Sequence, residues 1–243
     1  MSGDSTAAIL QAWEDGRDAS PGEQGLLLLG IARPELPAAA RAVTRVGQRD
    51  AALLDLFERL FGATAPAVAH CPRCTQPLQA DVPLAAIRVP APAAERDHFS
   101  LTVGDRTIAY RLPTAGDLAA LGAAATDGNP AAATSWLARR CALSEQTDLS
   151  KDALTALEAA IDEAVTAHDP QAEITLALDC PACGFHWSAP FDIVDFLWRR
   201  FEGFVADILR EVHVLASSYG WSERDILALS PARRRRYIEL IGP

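Results

Sequence analysis

Apolar side chains recur at helical spacing through the first 62 residues of the chain. The clearest case is QRDAALLDLFERLFG, in which Leu53, Leu56, Phe57 and Leu60 form one stripe and Gly62 provides a stop signal. Three shorter segments before it, AAILQAWEDG, SPGEQGLLLLGIA and PELPAAARAVTRV, are also predicted to be helices. This part of the chain is therefore predicted to be a helical region.

The longest predicted element is a helix from about Asp192 to Tyr219. Its apolar residues recur at alternating steps of three and four, which places them on one face of the helix. They are Val194, Leu197, Phe201, Val205, Ile208, Val212, Leu215 and Tyr219. At the usual rise of ~1.5 Å per residue, this helix is about 40 Å long. Such a stripe indicates the spine of a core, and a coiled-coil seam is the alternative.

Small polar residues mark the starts of several predicted helices. Ser20 precedes Pro21, which suits an N-cap followed by proline at the first helical position. Thr114, Ser150 and Ser222 are predicted to be the N-caps of later helices. In the same way, Ser230 and the proline after it are predicted to begin the last helix.

Alternating apolar and polar residues predict short β elements between the helices. FSLTVGDRTIAYRLP alternates around Gly104-Asp105, a common turn pair, and is predicted to be a β-hairpin. ITLALD and FHWSAPF are predicted to be strands, and DVPLAAI is predicted to be short and extended.

Composition narrows the class of protein. The 243 residues carry 22 Lys and Arg against 32 Asp and Glu, a formal net charge of −10, and such a chain repels phosphate backbones. The apolar fraction of 49% is enough for a packed core. We find neither an apolar run of the ~18 residues typical of a membrane span nor a signal peptide. We therefore expect a cytoplasmic protein.

Four cysteines form two C-P-x-C pairs, Cys71 with Cys74 and Cys180 with Cys183. In a reducing compartment such pairs more often bind metal or act in redox chemistry than form disulfides. Each pair lies between two predicted extended segments, which is the arrangement of a zinc ribbon. Two such pairs supply the four thiolates of a tetrahedral structural zinc site. We therefore predict one shared zinc site with these four residues as ligands.

Other interpretations of the cysteines stay open at this point. The two pairs could be separate redox pairs, or reduced cysteines without a metal. His70 and His186 flank the pairs and could substitute as ligands, although a histidine beside a knuckle is more often a surface residue or a hydrogen-bond donor to sulfur. Cys141 lies in a predicted helix and is interpreted as a buried core thiol.

These elements predict a mainly α fold with small β elements (α+β). It has a helical body, one long C-terminal helix and a zinc-ribbon-like module built from two distant C-x-x-C knuckles. The predicted parts are a helical region (1–62), a first knuckle half (63–88), a Pro/Ala-rich linker (89–98), a β-hairpin with a helical insert (99–170), a second knuckle half (171–191), and the long helix with the C-terminal helices (192–243).

The one basic run is RRRR, which comprises Arg233, Arg234, Arg235 and Arg236. It could contact an acidic partner or RNA, or it could be the solvated face of the last helix. Four consecutive arginines surround a helix, so we expect at least one of them to lie near a carboxylate of the protein body.

Motifs of common catalytic sites are missing from the sequence. We find no Gly-rich phosphate loop, no G-x-S-x-G, no H-E-x-x-H and no zinc-deaminase signature. We therefore expect a protein that is not an enzyme.

Three segments resemble a known family. They are RLPTAGDLAAL, GQRDAALLDLFERLFG with the following CPRC, and the C-terminal run that begins DCPACGFHW and ends RRRRYIELI. They resemble the baseplate hub assembly chaperones of T-even-like phage tails, whose bacterial relatives occur in gene clusters for contractile injection systems. The resemblance extends from about Gln24 to Ile241. In the first knuckle, Thr75 stands where many zinc ribbons carry glycine.

The resemblance implies a non-enzymatic assembly chaperone or structural component of a contractile baseplate or hub. Its implied partners are baseplate, hub or spike proteins, and it implies no small-molecule substrate. The protein could leave after assembly or remain in the finished particle. The alternative hypothesis is a zinc-ribbon regulator that binds nucleic acid through the arginine-rich last helix.

Overall fold

The computed structural model describes residues 3–90, 96–124, 128–143 and 149–241, and for residues 3–5 only the backbone. In chain order its helices are α1 (Gly3–Gly16), α2 (Pro21–Ala32), α3 (Ala38–Ala42), α4 (Val46–Phe61), α5 (Leu84–Ile87), α6 (Ala115–Ala123), α7 (Pro130–Cys141), α8 (Lys151–His168), α9 (Ile193–Tyr219), α10 (Glu223–Ala228) and α11 (Pro231–Ile241). Its strands are β1 (Thr64–His70), β2 (Pro77–Pro83), β3 (Phe99–Val103), β4 (Arg106–Tyr110), β5 (Thr175–Asp179) and β6 (His186–Pro190).

The strands form three antiparallel hairpins, β1–β2, β3–β4 and β5–β6. The predicted α+β class with small β elements is therefore confirmed. Half of the predicted linker, residues 91–95, lies outside the described residues. Within the described part of the chain, no helix combines the length and the apolar character needed to cross a bilayer.

The chain divides into two compact units. The first consists of Met1–Ala19 and Asp195–Pro243, and the second of Ser20–Val194. The predicted boundaries at 62, 88, 98, 170 and 191 describe a finer subdivision, which stays a prediction.

In the first unit, α9 carries the predicted apolar stripe. Leu197, Phe201, Val205 and Leu215 are all buried, as the periodicity predicts. Tyr219, the last residue of α9, instead remains 38% exposed. The stripe therefore lies in the core of this unit, except at its C-terminal end, where it is exposed to solvent.

In the second unit, α2 and α6 approach closely through glycines. A Cβ on Gly22 would lie 2.2 Å from the carbonyl oxygen of Leu118, and one on Gly122 would lie 2.3 Å from Ser20 Oγ. A side chain at either position would force the helices apart.

A second core lies under hairpin β3–β4. Its strands pack on α7 and α8, with Ile108, Tyr110 and Leu157 among the buried residues. Cys141 belongs to this core and is fully buried, as predicted. Burial raises the pKa of the Cys141 thiol to about 12, so the thiolate that a nucleophile requires is scarce at neutral pH.

The predicted N-caps are present. Ser20, Thr114, Ser150 and Ser222 each accept a hydrogen bond from the backbone N–H three residues later. Ser230 accepts from the N–H of Arg233 in the same way.

Two predicted elements differ from the structure. The helix predicted over PELPAAARAVTRV is limited to α3, because the Thr44 carbonyl accepts from Ala115 N and Arg45 forms a β-bridge with Thr114. The end of DVPLAAI is helical rather than extended, since one turn of helix buries both Leu84 and Ile87.

Candidate metal centre

The four paired cysteines lie at the turns of two hairpins. Cys71 and Cys74 connect β1 to β2, and Cys180 and Cys183 connect β5 to β6. Both turns have the same hydrogen-bond pattern. In the first, Cys71 N donates to Gln76 O (3.0 Å) and Thr75 N to Cys71 O (2.8 Å). In the second, Cys180 N donates to Phe185 O (2.9 Å) and Gly184 N to Cys180 O (2.9 Å).

The two knuckles bring their sulfurs together. All four Sγ atoms lie within 4.8 Å of one another. Cys71 Sγ is 3.7 Å from Cys183 Sγ, and Cys74 Sγ is 3.6 Å from Cys180 Sγ. The first cysteine of each knuckle therefore faces the second cysteine of the other.

These distances fit a tetrahedral metal ion. With metal–sulfur bonds of about 2.3 Å, as in zinc sites, the edges of the tetrahedron are about 3.8 Å. Thiolate sets of this kind suit zinc and other thiophilic metals. The cluster can therefore hold a metal ion, and its four sulfurs would complete a four-coordinate shell.

The surroundings of the sulfurs give Cys71 and Cys74 different pKa values. Burial disfavours the Cys71 thiolate, but hydrogen bonds from the backbone of Cys74 and Arg73 outweigh it and lower the pKa of Cys71 to about 7. At Cys74 a backbone hydrogen bond from Gln76 favours the thiolate, yet burial and the three neighbouring sulfurs raise the pKa to about 12. Several negative charges in so small a volume repel each other, and a bound cation would offset that repulsion.

The flanking histidines lie outside the cluster. His70 and His186 are both exposed, and the group of possible ligands found in the described residues contains the four cysteines alone. His186 Nδ1 contacts the carboxylate of Asp179, its neighbour across hairpin β5–β6.

The segment after α8 is hydrogen-bonded to the start of α4 and to the chain at the end of α5. Asp169 accepts a hydrogen bond from Gly47 N at the start of α4 (2.8 Å). Gln171 Nε2 donates to Ile87 O (3.1 Å), and Gln171 Oε1 accepts from Val89 N (2.7 Å). We call these contacts the 169–171 clamp.

The clamp connects the elements on either side of the first hairpin to the chain entering the second. Hairpin β1–β2 lies between α4 and α5, and its root is closed by Leu84 N donating to Ala63 O. Hairpin β5–β6 follows Gln171 after three residues, and Phe191 N donates to Ile174 O at its root. Sequence reasoning missed Asp169 and Gln171; the Asp169-Pro170 pair signals a turn but not the groups that the turn would contact.

The motif RLPTAGDLAAL has a structural role in the second unit. Asp117 is 2% exposed and accepts hydrogen bonds from Arg111 (2.5 and 3.0 Å), Arg140 (2.7 Å) and Thr114 N (2.9 Å). Burial opposes ionisation, but the hydrogen bonds from Arg111 and Thr114 hold the pKa of this carboxyl below its usual range. The sequence predicted the Thr114 cap but not this carboxylate that joins α6 and α7.

The four arginines of α11 have different environments. Arg234 is 2% exposed; its Nε donates to Glu211 Oε2 (2.8 Å) and its Nη1 to Leu229 O (2.9 Å). The expected carboxylate beside the run is therefore Glu211. Arg236 pairs with Glu239 on the surface (2.9 Å). The exposed side chains of Arg233 and Arg235 form no ion pair with any residue that the structure describes.

Comparison with known proteins identifies a family. A family model described as T4 bacteriophage base plate protein matches residues 37–198, which include both knuckles, the 169–171 clamp and the Asp117 network. This range is shorter than the resemblance noted in the sequence and ends before α10 and α11. Searches of curated proteins and of solved structures found no match. Since the matched range covers about two thirds of its length, the chain belongs to the family of T4 bacteriophage base plate proteins.

Proposed function

We propose that this protein helps to build the baseplate or hub of a contractile phage tail-like injection system, as an assembly chaperone or as a structural component. The observation that carries the proposal is the match to the base plate family over residues 37–198. The expected partners are other baseplate, hub or spike proteins. The expected location is the cytoplasm, with or without retention in the finished particle.

We further propose that the metal is zinc and that its role is structural. The four thiolates match the ligand set of structural zinc sites, and the sulfur spacing supports tetrahedral coordination. The ion would connect Cys71 and Cys74 to Cys180 and Cys183, more than a hundred residues later in the chain. No reaction at the metal is part of the proposal.

A non-enzymatic role is supported by how the buried charges are used. Arg49 pairs with Asp50, Asp117 joins two helices through its arginines, and Arg234 holds α11 to α9. Asp117 and Arg234 therefore stabilise the packing of helices, and Arg49 and Asp50 neutralise each other within α4.

The test is deletion of the gene in its host, followed by electron microscopy of the particles. We expect sheathed particles to disappear and to return when the wild-type gene is supplied in trans. A variant with all four knuckle cysteines changed to serine should restore few or none. Normal particles in the deletion strain would show that the proposal is wrong.

Mass spectrometry of purified particles separates the two forms of the proposal. A structural component remains in the particle at a fixed ratio to other baseplate proteins. An assembly chaperone is required for particle formation but is missing from the finished particle.

Metal analysis of the purified protein tests the proposal of a structural zinc ion, for which we expect one zinc per chain.

A further inference from the structure

Helix α11 presents a stripe of basic and apolar side chains. Arg233, Arg236, Tyr237 and Leu240 occupy positions i, i+3, i+4 and i+7, which lie on one face of a helix. We call these four residues the α11 stripe. The Leu240 side chain is 63% exposed and that of Arg236 is 73% exposed. Leu240 lies one turn beyond Arg236 on the same face, so an exposed apolar side chain adjoins exposed cations there.

The stripe rests on an aromatic cluster. The Tyr237 ring meets Trp221 edge-on with centroids 4.9 Å apart, and Trp221 stacks on Tyr219 at 4.7 Å. Tyr219 also donates its hydroxyl to the carbonyl oxygen of Tyr237 (3.3 Å). The hydrogen bonds of Arg234 hold the neighbouring side of α11. The surface is therefore fixed in place before any partner arrives, which lowers the entropy cost of binding.

We propose that the α11 stripe binds an acidic polypeptide segment with apolar side chains, carried by another baseplate protein. This inference rests on the proposed function, because it names the surface and the chemistry of one partner contact. Carboxylates of the segment would meet Arg233, whose side chain forms no ion pair with a described residue. At Arg236 they would compete with the surface ion pair to Glu239. Its apolar side chains would cover Leu240 and the exposed part of Tyr219.

Charge favours a peptide over a nucleic acid at this surface. The chain carries a net charge of −10, which repels a long polyanion as a whole. A short acidic segment meets only the local cations and gains contacts with Leu240 and Tyr219. A second copy of the chain would have to place an acidic surface against the stripe, and such a head-to-tail contact produces closed rings or open chains of molecules.

The test measures binding of defined peptides to the full-length protein. Overlapping fluorescent peptides that cover the baseplate, hub and spike proteins of the host's particle are titrated with wild type, Arg233→Glu, Leu240→Asp and Arg235→Glu. Arg235→Glu is the matched control, because Arg235 is also exposed and without an ion pair in the described structure but lies about 200° around the helix from Arg233. Thermal unfolding of each variant verifies that it is folded.

We expect the bound peptides to be acidic with apolar side chains and to bind more weakly as salt rises. Arg233→Glu and Leu240→Asp should each weaken binding about tenfold or more, which is roughly 1.4 kcal/mol, while Arg235→Glu should change it less than about twofold.

Several results would overturn the inference. If Arg235→Glu weakens peptide binding as much as Arg233→Glu does, binding depends on the net charge of the protein and not on the α11 stripe. If only basic peptides bind, or if no peptide binds at low salt, an acidic segment is not the partner of the stripe. Stronger binding of a single-stranded oligonucleotide through Arg233 would identify a nucleic-acid surface, and wild-type polymers abolished by Arg233→Glu would identify a second copy.

The particle assay distinguishes failure of this inference from failure of the proposed function. If deletion abolishes particles and Arg233→Glu restores them fully, the baseplate role stands and the stripe contact is wrong. If deletion leaves particles intact, the baseplate role is wrong, and binding by the stripe to a baseplate peptide falls with it.

Discussion

Cys71 to Thr75 and Cys180 to Gly184 follow the same backbone path with different residues at the last position. Thr75 has a φ of 61° and Gly184 a φ of 67°, so both occupy the left-handed region. Glycine enters that region without cost, whereas other residues are disfavoured by roughly 1–2 kcal/mol. Thr75 is the one non-glycine residue with positive φ among the described residues.

The comparison indicates that the knuckle turn is determined by its contacts and not by the preference of its last residue. Thr75 N donates to the Cys71 carbonyl as Gly184 N does to Cys180, at nearly the same distance. Thr75 also donates its hydroxyl to the Cys74 carbonyl (2.7 Å). A bound metal would add to these contacts by holding both sulfurs of the turn.

The hairpins that carry the knuckles differ in their support. Hairpin β5–β6 has Phe185 and Trp187 stacked with centroids 6.2 Å apart, and both are half-buried. The longer hairpin β1–β2 has no aromatic residue in its strands, and Val68 is 62% exposed. We therefore expect hairpin β1–β2 to lose more of its stability than β5–β6 when the metal is removed.

The largest expected effect comes from removing a ligand. Cys71→Ser and Cys180→Ser should each abolish metal binding, because a shared site needs both knuckles, and structural zinc contributes on the order of 10 kcal/mol in small domains. Metal analysis of the purified variants measures this, with Cys141→Ala as the control that keeps the metal. A full complement of metal in either variant would contradict a shared site.

Hydrogen exchange then compares the hairpins within each variant. We expect amide protection in β1–β2 to fall further than in β5–β6, whichever cysteine is removed, because aromatic packing still supports the second hairpin. The same order is expected when a chelator removes the metal from wild type. Equal losses in both hairpins would mean that the metal supports them equally.

The next largest effect is expected at the 169–171 clamp. Asp169→Ala leaves Gly47 N without its acceptor at a buried position, which should lower the free energy of unfolding by about 2 kcal/mol. Urea denaturation with saturating zinc measures the change. Asp169→Asn keeps a carbonyl acceptor and should recover part of the loss. If both variants are as stable as wild type, the bond from Gly47 N to Asp169 does not stabilise the packing of α4.

The clamp also marks the limit of what the sequence reveals. C-P-x-C spacing, apolar periodicity and cap residues are local signals. They predicted the cluster of four cysteines, the length of α9 and the N-caps. Asp169 contacts Gly47 across more than a hundred residues, and Arg234 is buried although its three neighbours are exposed. Such contacts depend on how helices pack, so they cannot be predicted from the spacing of residues along the chain.

Exchanging the last residues of the knuckles gives smaller effects. Gly184→Thr imposes on the second knuckle the backbone strain of roughly 1–2 kcal/mol that the first one carries. Removing glycine recovers about 0.5–1 kcal/mol of conformational entropy, so the free energy of unfolding should fall by about 0.5–1 kcal/mol. Nothing lies within 4 Å of the position that a Cβ would occupy at Gly184, so the backbone conformation and not a clash would cause the loss. Urea denaturation at saturating zinc gives the change, and a variant as stable as wild type would mean that the turn tolerates any residue.

Thr75→Gly is the reciprocal exchange and has the smallest expected effect. It relieves roughly 1–2 kcal/mol of backbone strain, but glycine loses about 0.5–1 kcal/mol more conformational entropy on folding, so the net gain should be about 0.5 kcal/mol. The variant also loses the Thr75 hydroxyl bond to Cys74, which Thr75→Ser retains without the branched side chain. If Thr75→Gly is less stable than wild type while Thr75→Ser is not, that hydroxyl contributes more to the first knuckle than the strain removes.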